Sequence, residues 1–240
     1  MPTDTPMPTD TPMSTGTRTP RPLRPLDDAD RAELAERWHA VLPHQEALGE
    51  ALVERYREPW RRYHDVRHLL AVLRQVDALA GEVDLFLVRL AAWYHDAVYD
   101  IPERELTNED ASARLALRDL SRAGLEQEDL TQVARLVRLT ADHLPGSRDA
   151  EGELLCDADL AVLASPPEAY AAYVADVREE HAAVPDEVFF SARLDVLAPW
   201  VEGEVFRTSK GKLLTPAART NVAAEAARLT ELLDVEGWHP

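Results

Sequence analysis

The chain has 240 residues, 45% hydrophobic and 29% charged, which is enough for one ordinary domain or two small ones. Its 44 acidic residues against 26 basic ones leave a net charge of −18, which excludes holding a nucleic-acid duplex or an anionic membrane by overall field. The single cysteine, Cys156, excludes an intrachain disulfide and a multi-cysteine zinc site. No apolar run approaches the ~20 residues of a spanning helix, and the N-terminus lacks the basic start and apolar stretch of a secretory signal. A soluble, cytoplasmic protein is expected. Small anionic substrates stay open to it, given a local positive patch or a bound cation.

Residues 1–26 repeat MPTDTP and continue with Pro, Thr and Arg. They have no periodic apolar face, so a disordered tail is expected there, with the folded domain over 27–240. From Asp27 onward the chain reads as helices. DDADRAELAERWHAVL has an aspartate cap and sets Leu34, Trp38, Val41 and Leu42 at helical spacing. EALGEALVERYREP is a second helix, stopping near Pro59. HDVRHLLAVLRQVDALAG is a third, with Val66, Leu69, Leu70, Leu73 and Val76 on one stripe and a stop at Gly81. VDLFLVRLAAWYHDAVYD is apolar on almost all sides and predicts a central, buried helix. Thr107 begins a helix that Gly124 ends, with Asp110 in the third position of a capping-box variant. Further helices are expected over 126–141, 157–164, 167–183, 186–200 and 216–234, the last with Thr215 as cap and Pro216 first. Leu154 to Cys156 is too short for a strand, and no longer alternating run of β-branched residues occurs. The expected fold class is all-α.

Among the eight histidines, His64 and His68 are four apart and would share one face of a helix. His95-Asp96 falls within the most apolar predicted helix, where an ionisable pair without a partner is expensive. A cation removes that cost. Asp157 and Asp159 lie in the apolar context LLCDADLAVL, and residues two apart on a helix point to different sides, so both do not easily serve as ligands. Imidazole with carboxylate suits a divalent transition metal that keeps positions open to water. Singly, each piece is more simply a hydrogen-bonded core pair or a helix-lining histidine. The ordered set of His, His-Asp and Asp on separate helices reverses that weighting. Arg55, Arg57, Arg61, Arg62 and Arg67 stand against only Glu58 and Asp65, a local positive excess that fits an anionic substrate.

RYHDVRHLLAVL, AAWYHDAVYD and CDADLAVL, in that order, resemble the HD-domain superfamily of metal-dependent phosphohydrolases. The resemblance covers roughly residues 34–234 and is nearest to a small bacterial branch of predicted phosphohydrolases. It implies an HD-domain-like helical bundle with a metal site between central helices, where His95 and Asp96 supply the doublet. His64 and His68 are both available as the first ligand. On the pattern of the cyclic-nucleotide phosphodiesterases, distant relatives in that superfamily, His68 would bind metal and His64 would donate a proton. Asp159 matches the distant aspartate best, with Asp157 as the alternate. Superfamily members with two metals carry extra histidines soon after the doublet. None stands between His95 and His143, which favours one tightly held ion, with a second, weaker Mg or Mn allowed.

Arg61 and Arg62 from the arginine cluster, and His143 near a helix end, are candidate substrate contacts. YDIPERELTNEDASA resembles the acidic connector of that family, which implies a role for Glu109 in catalysis beside His64 and Asp96 and for Asp100 at the substrate, each by orienting water or a second cation. Arg178, Glu180 and Arg193 are pocket or ion-pair residues on the same footing. The implied hydrolase would use one divalent transition metal (Mn, Fe, Co, Ni or Zn) to cleave a phosphate ester or anhydride of a small metabolite such as a nucleotide. The alternative reading is a non-catalytic metal- or nucleotide-binding helical module.

Overall fold

The computed structural model describes residues 26–235. Among the described residues ten α-helices follow one another: α1 (Asp28–Val41), α2 (Glu46–Tyr56), α3 (Val66–Leu79), α4 (Leu85–Tyr94), α5 (Asn108–Arg122), α6 (Gln127–Leu139), α7 (Ala150–Asp159), α8 (Pro167–Glu180), α9 (Asp186–Glu202) and α10 (Thr215–Val235). Tight 3-10 turns at Leu160–Ala164 and Gly211–Leu214 follow α7 and precede α10. No strand occurs among the described residues, and the class is all-α as expected. None of the described helices is long and apolar enough to cross a membrane. Of the tail expected over 1–26, residues 1–25 lie outside the described residues, whereas Leu26 is buried in the core.

Side chains fix several helix starts by accepting first-turn N–H groups: Asp27 before α1, Asp65 before α3, Asp84 before α4 and Thr107 before α5. Three boundaries differ from the sequence expectation. Because Asp65 is the cap of α3, His64 precedes the helix instead of sharing its face with His68. The apolar helix α4 ends at Tyr94, so His95 is its last, half-in residue and Asp96 lies beyond it. Helix α7 begins at Ala150, seven residues before the expected start at 157, because Asp149 accepts from the Gly152 N–H at 3.1 Å. Its first turn, Glu151-Gly152-Glu153, shows no apolar period to announce it.

Two buried clusters form the interior. The larger draws on α1 to α7, and α4 is its axis, packing on α1, α3, α5, α6 and α7. Residues Leu90 to Tyr94 are each no more than 1% exposed, which is why this helix is apolar all round. The smaller cluster joins the turn after α7 to α8, α9 and α10 through Leu163, Tyr170, Leu197, Phe206 and Val222. Ala158 belongs to the first cluster and Leu160 to the second, so Asp159 stands at the seam between them.

In the larger cluster the Trp38 ring lies close against Gly49. A Cβ there would lie 2.4 Å from Cδ1 of Trp38. The Trp38 ring is held in place on two sides: it meets Trp93 edge-on at 5.1 Å, and its Nε1 donates to the Gln45 carbonyl at 2.7 Å. Overpacking of this kind costs about 1–3 kcal/mol. Gly49→Ala should therefore lower the melting temperature by several degrees. An unchanged melting temperature would refute the close approach.

Candidate metal centre

His68, on the first turn of α3, and His95, at the end of α4, face each other with their Nε2 atoms 3.0 Å apart. Asp96 Oδ2 lies 3.1 Å from His95 Nε2 and 3.3 Å from His68 Nε2. Asp159 Oδ1, from the last turn of α7, lies 3.1 Å from His68 Nε2 and 3.6 Å from His95 Nε2. His95 Nδ1 sits 2.8 Å from the Ala92 carbonyl, which can only accept. The Nδ1 proton is thereby fixed, and the Nε2 lone pair is turned toward the cluster. Burial pulls the His68 imidazole down, but its hydrogen bonds to Asp159 and Asp96 outweigh this and push it up to about 10. Burial likewise raises the Asp96 and Asp159 carboxyls, yet the imidazoles beside them hold both well below the usual carboxylate range. This pocket demands positive charge.

Either a proton or a cation meets that demand. Two ligands at right angles and ~2.1 Å from one ion are ~3 Å apart, which is the spacing found here. Two imidazole nitrogens with carboxylate oxygens make a borderline donor set suited to a divalent transition metal. His68, His95 and Asp96 thus form a buried group that can hold a metal ion. Among known proteins, no family model matches the chain, and no curated protein or solved structure is significantly similar to it.

The turn that carries the doublet is held from behind. Tyr56, fully buried, takes the Asp96 N–H on its hydroxyl and gives its own proton to the Trp93 carbonyl, both at 3.2 Å. Arg61, expected to bind substrate, is also fully buried and corrects that expectation. Its guanidinium donates to the His64 carbonyl at 2.9 Å, the Asp96 carbonyl at 2.7 Å, the Ala97 carbonyl at 3.4 Å and Glu58 at 3.1 Å. It clamps the His64 turn to the doublet turn. Arg61→Ala would leave those carbonyls without a donor, at ~1–3 kcal/mol for each buried group. The expected outcome is a fall in melting temperature with loss of metal, and an Arg61→Ala protein of unchanged stability would refute the clamp. Arg62 is likewise engaged, with Glu179 at 2.7 Å and the carbonyls of Pro59 and Arg61.

His64 lies beside the cluster, its ring 5.6 Å from that of His68 and stacked on Tyr99 at 4.1 Å. Its Nδ1 donates to Glu180 Oε2 at 2.7 Å, while Glu180 Oε1 accepts the backbone N–H groups of Arg62, Tyr63 and His64. Burial raises the Glu180 carboxyl, but His64 and these N–H groups bring it below its ordinary value. His143 donates through Nε2 to Asp159 Oδ2 at 2.9 Å, so it braces a site carboxylate where a substrate contact was expected. Burial pushes the Glu109 carboxyl up, and the nearby Asp96 charge adds to the shift. Asp100 pairs with exposed Arg104 at 2.8 Å, and its N–H donates to the Asn108 side chain.

Asp157 is not with the histidines. Its carboxylate accepts the N–H groups of Arg207 and Thr208 and the Thr208 hydroxyl, at 2.7–3.1 Å. A Cβ on Gly211 would come within 2.2 Å of it. The two aspartates of α7 point apart because they are two residues apart on one helix. A cavity of about 320 Å³ adjoins the cluster, with Tyr63, His68, Asp159 and Tyr173 in its wall.

Proposed function

We propose that the chain is a metal-dependent phosphohydrolase acting on a small phosphorylated metabolite. The observation that carries this reading is that the His68 and His95 Nε2 atoms, from α3 and the end of α4, lie 3.0 Å apart, with a carboxylate oxygen of Asp96 and one of Asp159 each within 3.1–3.6 Å of both. His68, His95, Asp96 and Asp159 would hold one divalent ion of Mn, Fe, Co, Ni or Zn. Such an ion, when bound, lowers the pKa of a water toward neutrality and polarises a phosphoryl oxygen. The water oxygen bonds to phosphorus as the bond to the leaving oxygen breaks. His64, whose Nδ1–H bonds Glu180, would act as an imidazolium whose second proton, on Nε2, passes to that leaving oxygen. Glu109, near Asp96 and pushed toward its neutral form, suits a second, weaker Mg or Mn at most. The cytoplasm is the proposed setting.

The test is elemental analysis of the purified protein, followed by a phosphatase screen across nucleotides and sugar phosphates with each metal added in turn. Metal retention without turnover on any phosphate would favour the binding-module alternative. Neither retention nor turnover would overturn both.

Ion and proton compete for the same donors, so binding should release protons. Because His68 holds its proton up to about 10, it is charged at pH 7 and must lose that proton to ligate. Metal affinity should rise with pH, about tenfold per unit for each proton released. Calorimetry in buffers of different ionisation enthalpy counts those protons. A count of zero at pH 7 would show that no donor of the cluster is protonated before the ion binds.

A further inference from the structure

The connector YDIPERELTNEDASA folds back so that two buried polar residues of α5 grip the turn beyond the doublet. Ser112, fully buried, accepts the Val98 N–H at 3.0 Å and donates to the Val98 carbonyl at 3.3 Å. Asn108, one helical turn earlier on the same face, accepts the Asp100 N–H at 2.9 Å and donates to the Asp100 carbonyl at 3.2 Å. An antiparallel strand bonds alternate residues of its partner in this way, and here two side chains do so. Tyr99 stands between the gripped residues, and its carbonyl accepts from the Trp60 indole at 3.2 Å. Three successive residues are thus tied through their backbone, two to α5 and one to the connection between α2 and α3.

What this backbone presents is a ring. Tyr99 is stacked on His64, with centroids 4.1 Å apart and planes at 24°. Tyr63 meets the same imidazole edge-on at 4.8 Å. Glu180 holds Nδ1 at 2.7 Å, which fixes one atom of the ring. The outer torsion of a histidine is broad, so one hydrogen bond leaves the plane free to tilt, and Nε2, which Glu180 does not touch, tilts with it. A stacked neighbour on an anchored backbone narrows that freedom.

We infer that Tyr99 is a positioning residue: held by Ser112, Asn108 and Trp60, its ring sets the plane of the His64 imidazole and with it the place of Nε2. Its effect on turnover rests on the phosphohydrolase reading, whereas the orientation of the imidazole does not. The ring face makes the contact, so phenylalanine should serve in place of tyrosine and an aliphatic residue should not.

The experiment compares Tyr99→Leu with Tyr99→Phe. Metal content and melting temperature come first, then kcat and KM on the best phosphate of the screen. NMR cross-relaxation between the His64 and Tyr63 ring protons then reports the plane of the imidazole without any turnover. Tyr99→Leu should keep its metal and lose about 10–100-fold in kcat with little change in KM, since a misplacement of ~1 Å costs up to about 10²-fold. Its cross-relaxation should weaken. Tyr99→Phe should recover most of the lost rate and the cross-relaxation together. If Tyr99→Leu does not fold, Ser112→Ala, which frees the Val98 end of the grip, is read in the same way with a smaller loss. Wild-type kcat in the variant that folds would overturn the inference while the phosphohydrolase reading stands, as would a Tyr99→Phe protein no faster than Tyr99→Leu. If the wild type hydrolyses no phosphate, that reading falls and the cross-relaxation decides alone. Unchanged in Tyr99→Leu, it would overturn the positioning role; weakened there and restored in Tyr99→Phe, it would support it.

Discussion

Asp96→Ala should yield a folded protein without metal and without turnover. The change removes a charged donor 3.1 Å from His95 Nε2 and 3.3 Å from His68 Nε2, leaving two imidazoles and one carboxylate to share the ion. Loss of an outer residue that merely orients a ligand costs about 10–100-fold in metal affinity or activity, and a ligand should cost more than that. Asp159→Asn should behave in the same way. Asp157→Asn should instead keep its metal and melt lower, because that carboxylate holds the backbone of Arg207 and Thr208. Elemental analysis and melting curves of the three variants decide this. Equal metal in wild type and Asp96→Ala would refute the assignment, and metal lost only from Asp157→Asn would exchange the two aspartates.

His64→Ala should show the opposite pattern, with metal kept and turnover lost by about 10²–10⁴-fold, the usual contribution of a general acid. Its ring lies beside the donor set without belonging to it, 5.6 Å from the His68 ring. Glu180→Gln should give a smaller loss together with a shifted pH–rate profile, because an amide cannot accept on both sides as the carboxylate does. Metal loss from His64→Ala would return His64 to the donor set. Full turnover in both variants would take this turn out of the chemistry.

Much of this arrangement was legible in the sequence, and the failures share a cause. Caps and stripes announce themselves locally, so Asp27, Thr107 and the apolar face of α3 could be read directly. The composition of α4 likewise foretold a central helix. The doublet and the His68 position could be read as donor types at suggestive spacings. What the arginines near residue 60 do could not be read that way. Arg61 and Arg62 look like phosphate binders by type, but their partners are the carbonyls of the neighbouring turns and Glu179. Asp65 shows the same limit from the other side. Its identity as a cap shortens α3 by two residues and removes His64 from the helix face. Glu180 could be suspected as an ion-pair residue, yet nothing in its own segment announces that it binds the His64 turn.

Glu180 reaches back 116 residues to His64, whereas the His68–His95 pair spans only 27. Closing a longer loop costs more chain entropy, and non-local contacts form late for that reason. Two imidazoles and the Asp96 carboxylate therefore meet as soon as α3 docks on α4. Asp159 joins them from α7, and Glu180 arrives only when α8 packs beside the turn that follows α7. Seen along the time course of folding, an ion can be captured early by an incomplete nest, while the histidine that would act beside it is oriented last. Loosening α8 should then cost the proposed turnover before it costs the proposed site its ion.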